Sequence, residues 1–228
     1  MMFAASRLFA RALLLAGAVV AAVPDALATG LDSMDAFVKA ARSGRASFTQ
    51  VVTSPAKEGQ AVRSKTSSGS FEFQRPGRFR FSYKKPFEQT LVADGQTLWM
   101  YDVDLNQVTA RKQAQTLGST PAALIAAAPD MKALQGDFEL RDAPDRDGLQ
   151  WVQATPRTKD GQLQAVQVGF RVTDKGSELA VLDILDSFGQ RSVLTFTAFE
   201  LNPVLAPGVF QFKPPAGSDA TCVLVAKK

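Results

Sequence analysis

The residues of this chain that could do chemistry are few. No histidine occurs among the 228 residues, which removes the usual general base near neutral pH, the Ser-His-Asp triad and most zinc sites. Cys222 is the single cysteine, so a cysteine-rich metal site and an intramolecular disulfide are both excluded. Within Thr221-Cys222-Val223-Leu224-Val225 it reads as a small apolar strand residue. There is no G-x-S-x-G elbow, no P-loop and no G-x-G-x-x-G run. Carboxylates remain. Asp102 and Asp104 can share a strand face, and Asp142, Asp145 and Asp147 cluster before Gly148. The latter group lacks the further ligands and closing glutamate of a calcium loop, and turn and solvation roles account for both sets. The expectation is a protein that is not an enzyme and uses no metal or cofactor.

Apolar binding is the chemistry left, and it is concentrated in one residue type. Sixteen phenylalanines stand against two tyrosines and two tryptophans, and phenylalanine supplies apolar area with no polar group to satisfy. Phe71, Phe73 and Arg75 fall on one face of a strand by period two, with Ser70, Glu72 and Gln74 on the other. After Pro76-Gly77, Phe79, Phe81 and Tyr83 alternate with Arg78, Arg80, Ser82 and Lys84, completing an antiparallel hairpin. Such a face is either ordinary core or the wall of a cavity for something apolar. Arg75 bears on that choice, because a guanidinium facing a dry core costs several kcal/mol unless paired. Its five donors could bond carbonyls at a cavity mouth or a facing helix end, or it could snorkel to water from the strand end.

The elements that must position this face are mostly strands. Further strands are expected at Gln89–Ala93, Thr97–Tyr101, Asn106–Arg111, Phe138–Asp142, Leu149–Thr155, Gln164–Val172, Glu178–Leu185 and Arg191–Glu200, with an acidic loop at Ala143–Gly148. About ten strands in meander order predict one antiparallel, strongly curved sheet. Helical spacing of Leu31, Met34, Phe37, Val38 and Ala41 predicts a first helix, which Ser43-Gly44 can stop. A second is expected over Pro121–Ala128 behind Thr120, and Asp130 can cap a further short turn through Leu134 that ends at Gly136.

The N-terminus reads as an address. Arg7 and Arg11 precede an apolar run from Ala12 to Ala22, and Ala26-Leu27-Ala28 supplies a cleavage pattern. Cleavage after Ala28 removes residues 1–28 and leaves 200 of the 228 residues as one domain, 29–228, exported to the periplasm. The apolar run is shorter than the roughly 20 residues of a membrane span. The formal charge of +4 becomes +3 when Arg7, Arg11 and Asp25 leave, too balanced for a nucleic-acid partner. The local cluster Arg78/Arg80/Lys84/Lys85 reads as a solvated strand face.

Several stretches together resemble the LolA family, periplasmic carriers of outer-membrane lipoproteins. Phe73-Gln74-Arg75-Pro76-Gly77-Arg78-Phe79-Arg80-Phe81 is similar to that family's R-P-x-x-F-x-[WF] signature. Ala46-Ser47-Phe48-Thr49-Gln50, Leu91 to Tyr101, Gly118-Ser119-Thr120-Pro121 and Phe210 to Gly217 match in the same order. The resemblance implies an incomplete β-barrel with short helices forming a lid over an apolar cavity. It implies lipoprotein acyl chains as cargo, taken from an inner-membrane lipoprotein-releasing ABC transporter and passed to an outer-membrane lipoprotein receptor, with the carrier a monomer. It further implies Arg75 as a lid latch, and Phe71, Phe73, Phe79, Phe81, Trp99, Leu124 and Ile125 as cavity or rim residues. Phe81 stands where the family usually has tryptophan. No cysteine lies at the cleavage junction, which favours the soluble carrier over the lipid-anchored receptor. The alternatives are a paralogue of the same fold carrying another amphiphile, and an envelope-stress sensor.

Overall fold

The computed structural model describes residues 28–56, 61–116, 126, 129–158 and 162–223. Its first element is α1 (Gly30–Ala40), which begins where the sequence can cap it. The Thr29 hydroxyl accepts from the Asp32 amide while the Asp32 carboxylate accepts from the Thr29 amide, a reciprocal capping box. Asp142 also accepts from the Leu31 amide at 2.8 Å. Part of the Asp142, Asp145 and Asp147 cluster is therefore a helix cap. Met34, Phe37 and Val38, at helical spacing, form the buried side of α1.

Among the described residues twelve strands follow in one sheet. They are β1 (Ser43–Thr53), β2 (Ser64–Gln74), β3 (Arg78–Lys85), β4 (Gln89–Asp94), β5 (Thr97–Asp102) and β6 (Gln107–Lys112), then β7 (Phe138–Arg146), β8 (Leu149–Pro156), β9 (Leu163–Thr173), β10 (Gly176–Asp186), β11 (Arg191–Leu201) and β12 (Asp219–Val223). Between β6 and β7 lie α2 (Gln113–Thr116) and α3 (Met131–Asp137), the latter capped by the Asp130 carboxylate on the Ala133 amide as expected. The expected helix at Pro121–Ala128 lies outside the described residues except for Ala126.

The order across the sheet is β12-β6-β5-β4-β3-β2-β1-β11-β10-β9-β8-β7. It corrects the simple meander in two ways. First, β1, which is absent from the expected strands, pairs with β11, so the chain curls back and the sheet opens between β12 and β7. Second, β12 adds a strand, and it runs parallel to β6. The chain leaves β11 beside β1 and crosses to the far edge, where Asp219 meets Gln107 at the start of β6. The acidic loop at Ala143–Gly148 is shorter than expected: β7 continues to Arg146, and only Asp147-Gly148 turns. Arg146 supports the extension by stacking 3.6 Å over the Trp151 ring and bonding Gln167.

Paired residues share a face, so the register sorts the sheet into two sides. Phe73, Phe79, Ala93 and Leu98 are successive partners across β2 to β5 and lie on the concave side with the main core. Glu72, Arg80, Val92 and Trp99 are the next partners and lie on the convex side. There the segment after β11 covers them: Arg80 donates to the Val209 carbonyl at 3.2 Å, and Phe210 is buried. α1 rests on the concave side over β7 to β10.

The β2–β3 pairing is irregular at Ser68/Gly69, where a Cβ on Gly69 would run into the Ser82 carbonyl. Gly69→Ala should therefore lower stability by about 1–3 kcal/mol through overpacking against backbone, measurable as a fall in the urea midpoint. An unchanged midpoint would show that the strands can separate there without cost.

Candidate functional site

The concave side of β1 to β3 is a phenylalanine cluster. Phe71, Phe73, Phe79 and Phe81 are all buried, and the Phe71 and Phe81 ring centres stand 4.4 Å apart. The four residues expected from the hairpin pattern are thus brought together. Four more join them: Phe48 on Phe81 at 5.5 Å, Phe196 on Phe71 at 5.5 Å, and Phe37 of α1 between Phe170 and Phe73 at 5.6 and 6.2 Å. The sequence reading missed these as site residues. Their signal was present as helical spacing in α1 and period-two spacing in β1, β9 and β11, but what brings those elements against β2 and β3 was not. Among the described residues this deep part of the concave face is filled by rings.

Arg75 closes one end of the cluster. It follows directly on β2, and its Nη1 donates to the Val38 carbonyl of α1 at 2.7 Å. Its guanidinium lies 5.2 Å from the Phe37 ring centre and 5.8 Å from that of Phe73. The side chain neither snorkels to water nor requires an empty interior, because a helix carbonyl and two aromatic faces receive it. Burial, with the nearby Arg42 charge, lowers its pKa to about 10.

The turn that carries Arg75 is itself fastened. The Arg75 amide donates to the Arg42 carbonyl at 2.8 Å, and the Gly77 amide to the Ala126 carbonyl at 2.7 Å. Gly77 has φ 72°, a left-handed conformation that glycine adopts without strain. Buried Gln113 then bridges two turns: its Nε2 donates to the Gly77 carbonyl, and its Oε1 accepts from the Gly95 amide at 2.9 Å. No motif announced Gln113, since its role depends on two turns meeting.

Trp99 requires correction as a cavity residue. Its register with Val92 and Arg80 puts it on the convex side, where its Nε1 donates to Asp94 at 2.9 Å and its ring packs on Phe212 at 5.6 Å. Burial pushes the Asp94 carboxyl up, but hydrogen bonds from the Thr97 amide, Trp99 and the Gln96 amide outweigh it and the pKa is lowered. Leu124 and Ile125 lie outside the described residues.

At the end of the concave face away from Arg75, the interior opens into a groove of about 630 Å³ bounded by Gln50, Lys65, Ser67, Tyr83 and Gln89. Tyr83 joins the two regions, its ring 5.0 Å from Phe48. Burial pushes the Tyr83 hydroxyl up to about 12, so it stays protonated at neutral pH. Among the described residues no group of His, Cys, Asp or Glu could hold a metal, and no helix is long and apolar enough to cross a membrane.

Three outcomes follow from this geometry. Burial disfavours protonated Arg75 in the fold; that cost is constant below about pH 10 and lessens as pH rises toward the ordinary arginine range. The difference in melting temperature between the wild type and Arg75→Leu should accordingly be flat from pH 5 to 9, and a slope there would assign the contact to another titrating group. Gln113→Ala leaves the Gly77 carbonyl and Gly95 amide unpaired, at about 2 kcal/mol. Hydrogen exchange at the Gly95 amide should accelerate, and unchanged protection would mean that another partner suffices. Trp99→Phe should destabilise the chain by about 1 kcal/mol yet leave apolar-probe binding unchanged, as calorimetry and a fluorescence titration would read. Loss of probe binding would return Trp99 to the cavity.

Comparison with known proteins agrees with this architecture. The family model described as outer membrane lipoprotein carrier protein LolA matches residues 39–213. An outer-membrane lipoprotein carrier protein from Albidiferax ferrireducens is 71% identical over 192 residues, covering 84% of this chain and 90% of that one. Its counterpart from Methylibium petroleiphilum is 52% identical over 192 residues, covering 84% and 89%. The crystal structure of a DUF1329 family protein from Desulfovibrio piger shares the fold alone, with a TM-score of 0.50 at 12% identity, covering 80% of this chain and 95% of that one. With a family match over most of its sheet and relatives this similar, the chain belongs to the LolA family.

Proposed function

We propose that this chain is a non-enzymatic periplasmic carrier that binds the acyl chains of outer-membrane lipoproteins. Residues 1–28 serve as its export signal and residues 29–228 as one carrier domain. It receives cargo from an inner-membrane ABC transporter and delivers it to an outer-membrane receptor. The observation that supports this most is the cover on the concave face. An unclosed sheet presents its phenylalanines to α1, whose own hold on them is mainly apolar burial.

Magnitudes make that cover exchangeable. Met34, Phe37 and Val38 are each nearly fully buried, worth about 2 kcal/mol apiece. A methylene of an acyl chain is worth about 0.8 kcal/mol, so roughly eight buried methylenes match what α1 contributes. The Arg75 bond to Val38 adds about 1.5–3 kcal/mol as a charge-assisted contact. It is too weak to hold the helix down alone, yet strong enough to bias it. Arg75 is thereby a latch: it keeps the empty carrier covered and offsets part of the gain from loading, so that cargo can leave.

The test is to purify the mature chain from a periplasm and identify bound lipid by mass spectrometry, beside Arg75→Leu. Triacylated peptides should be found, and the variant should retain them about 10- to 100-fold more strongly. Recovery of only a non-lipoprotein amphiphile would overturn the cargo assignment, and equal retention by both proteins would overturn the latch.

A further inference from the structure

The concave face is not uniform along its strands. Beside Arg75 the inward positions are Phe73, Phe79, Ala93 and Leu98, followed by Phe71, Phe81, Leu91 and Met100. One step further they become Gly69, Tyr83, Gln89 and Asp102, and beyond these come Ser67 with Gln50 and then Lys65 with Val52. Inward positions on a curved sheet normally stay apolar to the end, because period two keeps them on the core side. Here all but Gly69 and Val52 turn polar over one or two residue pairs on neighbouring strands, and the groove opens at that point.

The loop tips at this same end are apolar. Phe87, after β3, is 57% exposed, Leu105, after β5, is 66% exposed, and Phe188, after β10, is 70% exposed. Phe87 also lies under the Lys65 ammonium, 5.0 Å from its ring centre. The axis of the concave face thus reads aromatic floor, polar collar and apolar rim. That sequence fits an amphiphile lying lengthwise, chains on the floor and head in the collar.

The charge in the collar narrows the head. Lys65 on β2 and Asp102 with Asp104 at the end of β5 line the same groove as the neutral Gln50, Ser67 and Gln89. Two carboxylates beside one ammonium oppose a phosphate, whereas amide and hydroxyl side chains suit esters, amides and peptide bonds.

Resting on the carrier reading above, we propose that the groove at Gln50, Ser67, Tyr83 and Gln89 is a head-group subsite. It would hold the uncharged glyceryl-ester and first peptide units of a multiply acylated chain, oriented with its acyl tails toward Arg75 and α1. The cargo's polypeptide leaves between the tips bearing Phe87 and Leu105.

A wild-type experiment tests this orientation. The mature chain is mixed with a triacylated lipopeptide carrying a diazirine on the residue after its lipidated cysteine, irradiated and mapped by peptide mass spectrometry. A phosphatidylglycerol with the same group on its head serves for comparison. Adducts from the lipopeptide are expected within residues 50–52, 65–67 and 83–89, at least tenfold above those from the phospholipid. Adducts at residues 42–45 or 75–78 would reverse the orientation and overturn the proposal while leaving the carrier function standing. Equal capture of the phospholipid in the groove would overturn the neutral-head assignment. Failure of the lipopeptide to bind at all would remove both the carrier reading and this one.

Discussion

Pairing of β1 with β11 is the constraint from which the rest of the architecture follows. It bends the sheet back on itself and places the free edges at β12 and β7, so the concave side cannot be sealed by strands alone. A face lined by Phe71, Phe73, Phe79 and Phe81 then has to be covered by something that is not sheet. α1 supplies part of that cover by burial, a non-directional interaction that another apolar body of similar area can replace.

Directional contacts are correspondingly gathered at the ends of the cover, not beneath it. The Thr29–Asp32 capping box and the Asp142 carboxylate hold the start of α1. At its other end Asn202 accepts from the Arg42 and Ser43 amides and donates to the Ala40 carbonyl, while Arg75 bonds Val38. Gln113 extends this set to the turns at Gly77 and Gly95. Polar pins around a slippery face let the helix keep one position without the face being specific to it.

The convex side shows the opposite logic. Trp99, Tyr101, Phe210 and Phe212 form a second apolar layer beneath the crossing that leads to β12, and the Arg80 bond to Val209 stitches that crossing down. Here indole and guanidinium donors have fixed partners, as befits a surface that need not exchange its cover. Aromatic content alone does not distinguish the two layers; the partners of their polar atoms do.

Much of the local order was legible along the chain. Period two in Phe71–Tyr83, the spacing of Leu31 to Ala41 and the Asp130 cap are contacts between near neighbours, so sequence carries them directly. It also placed Arg75 on the phenylalanine side of its strand. It could not place Trp99, because the parity of one strand relative to another is set by register, and a slip of one residue moves every side chain to the other face. Likewise β12 alongside β6, Phe37 between Phe73 and Phe170, and the acceptance of Arg75 by the Val38 carbonyl join residues far apart in the chain. Sequence by itself determined that this protein has one aromatic face with an arginine at its end. Only the tertiary structure decided what covers that face and where it opens, because both depend on which distant strands hydrogen-bond to each other.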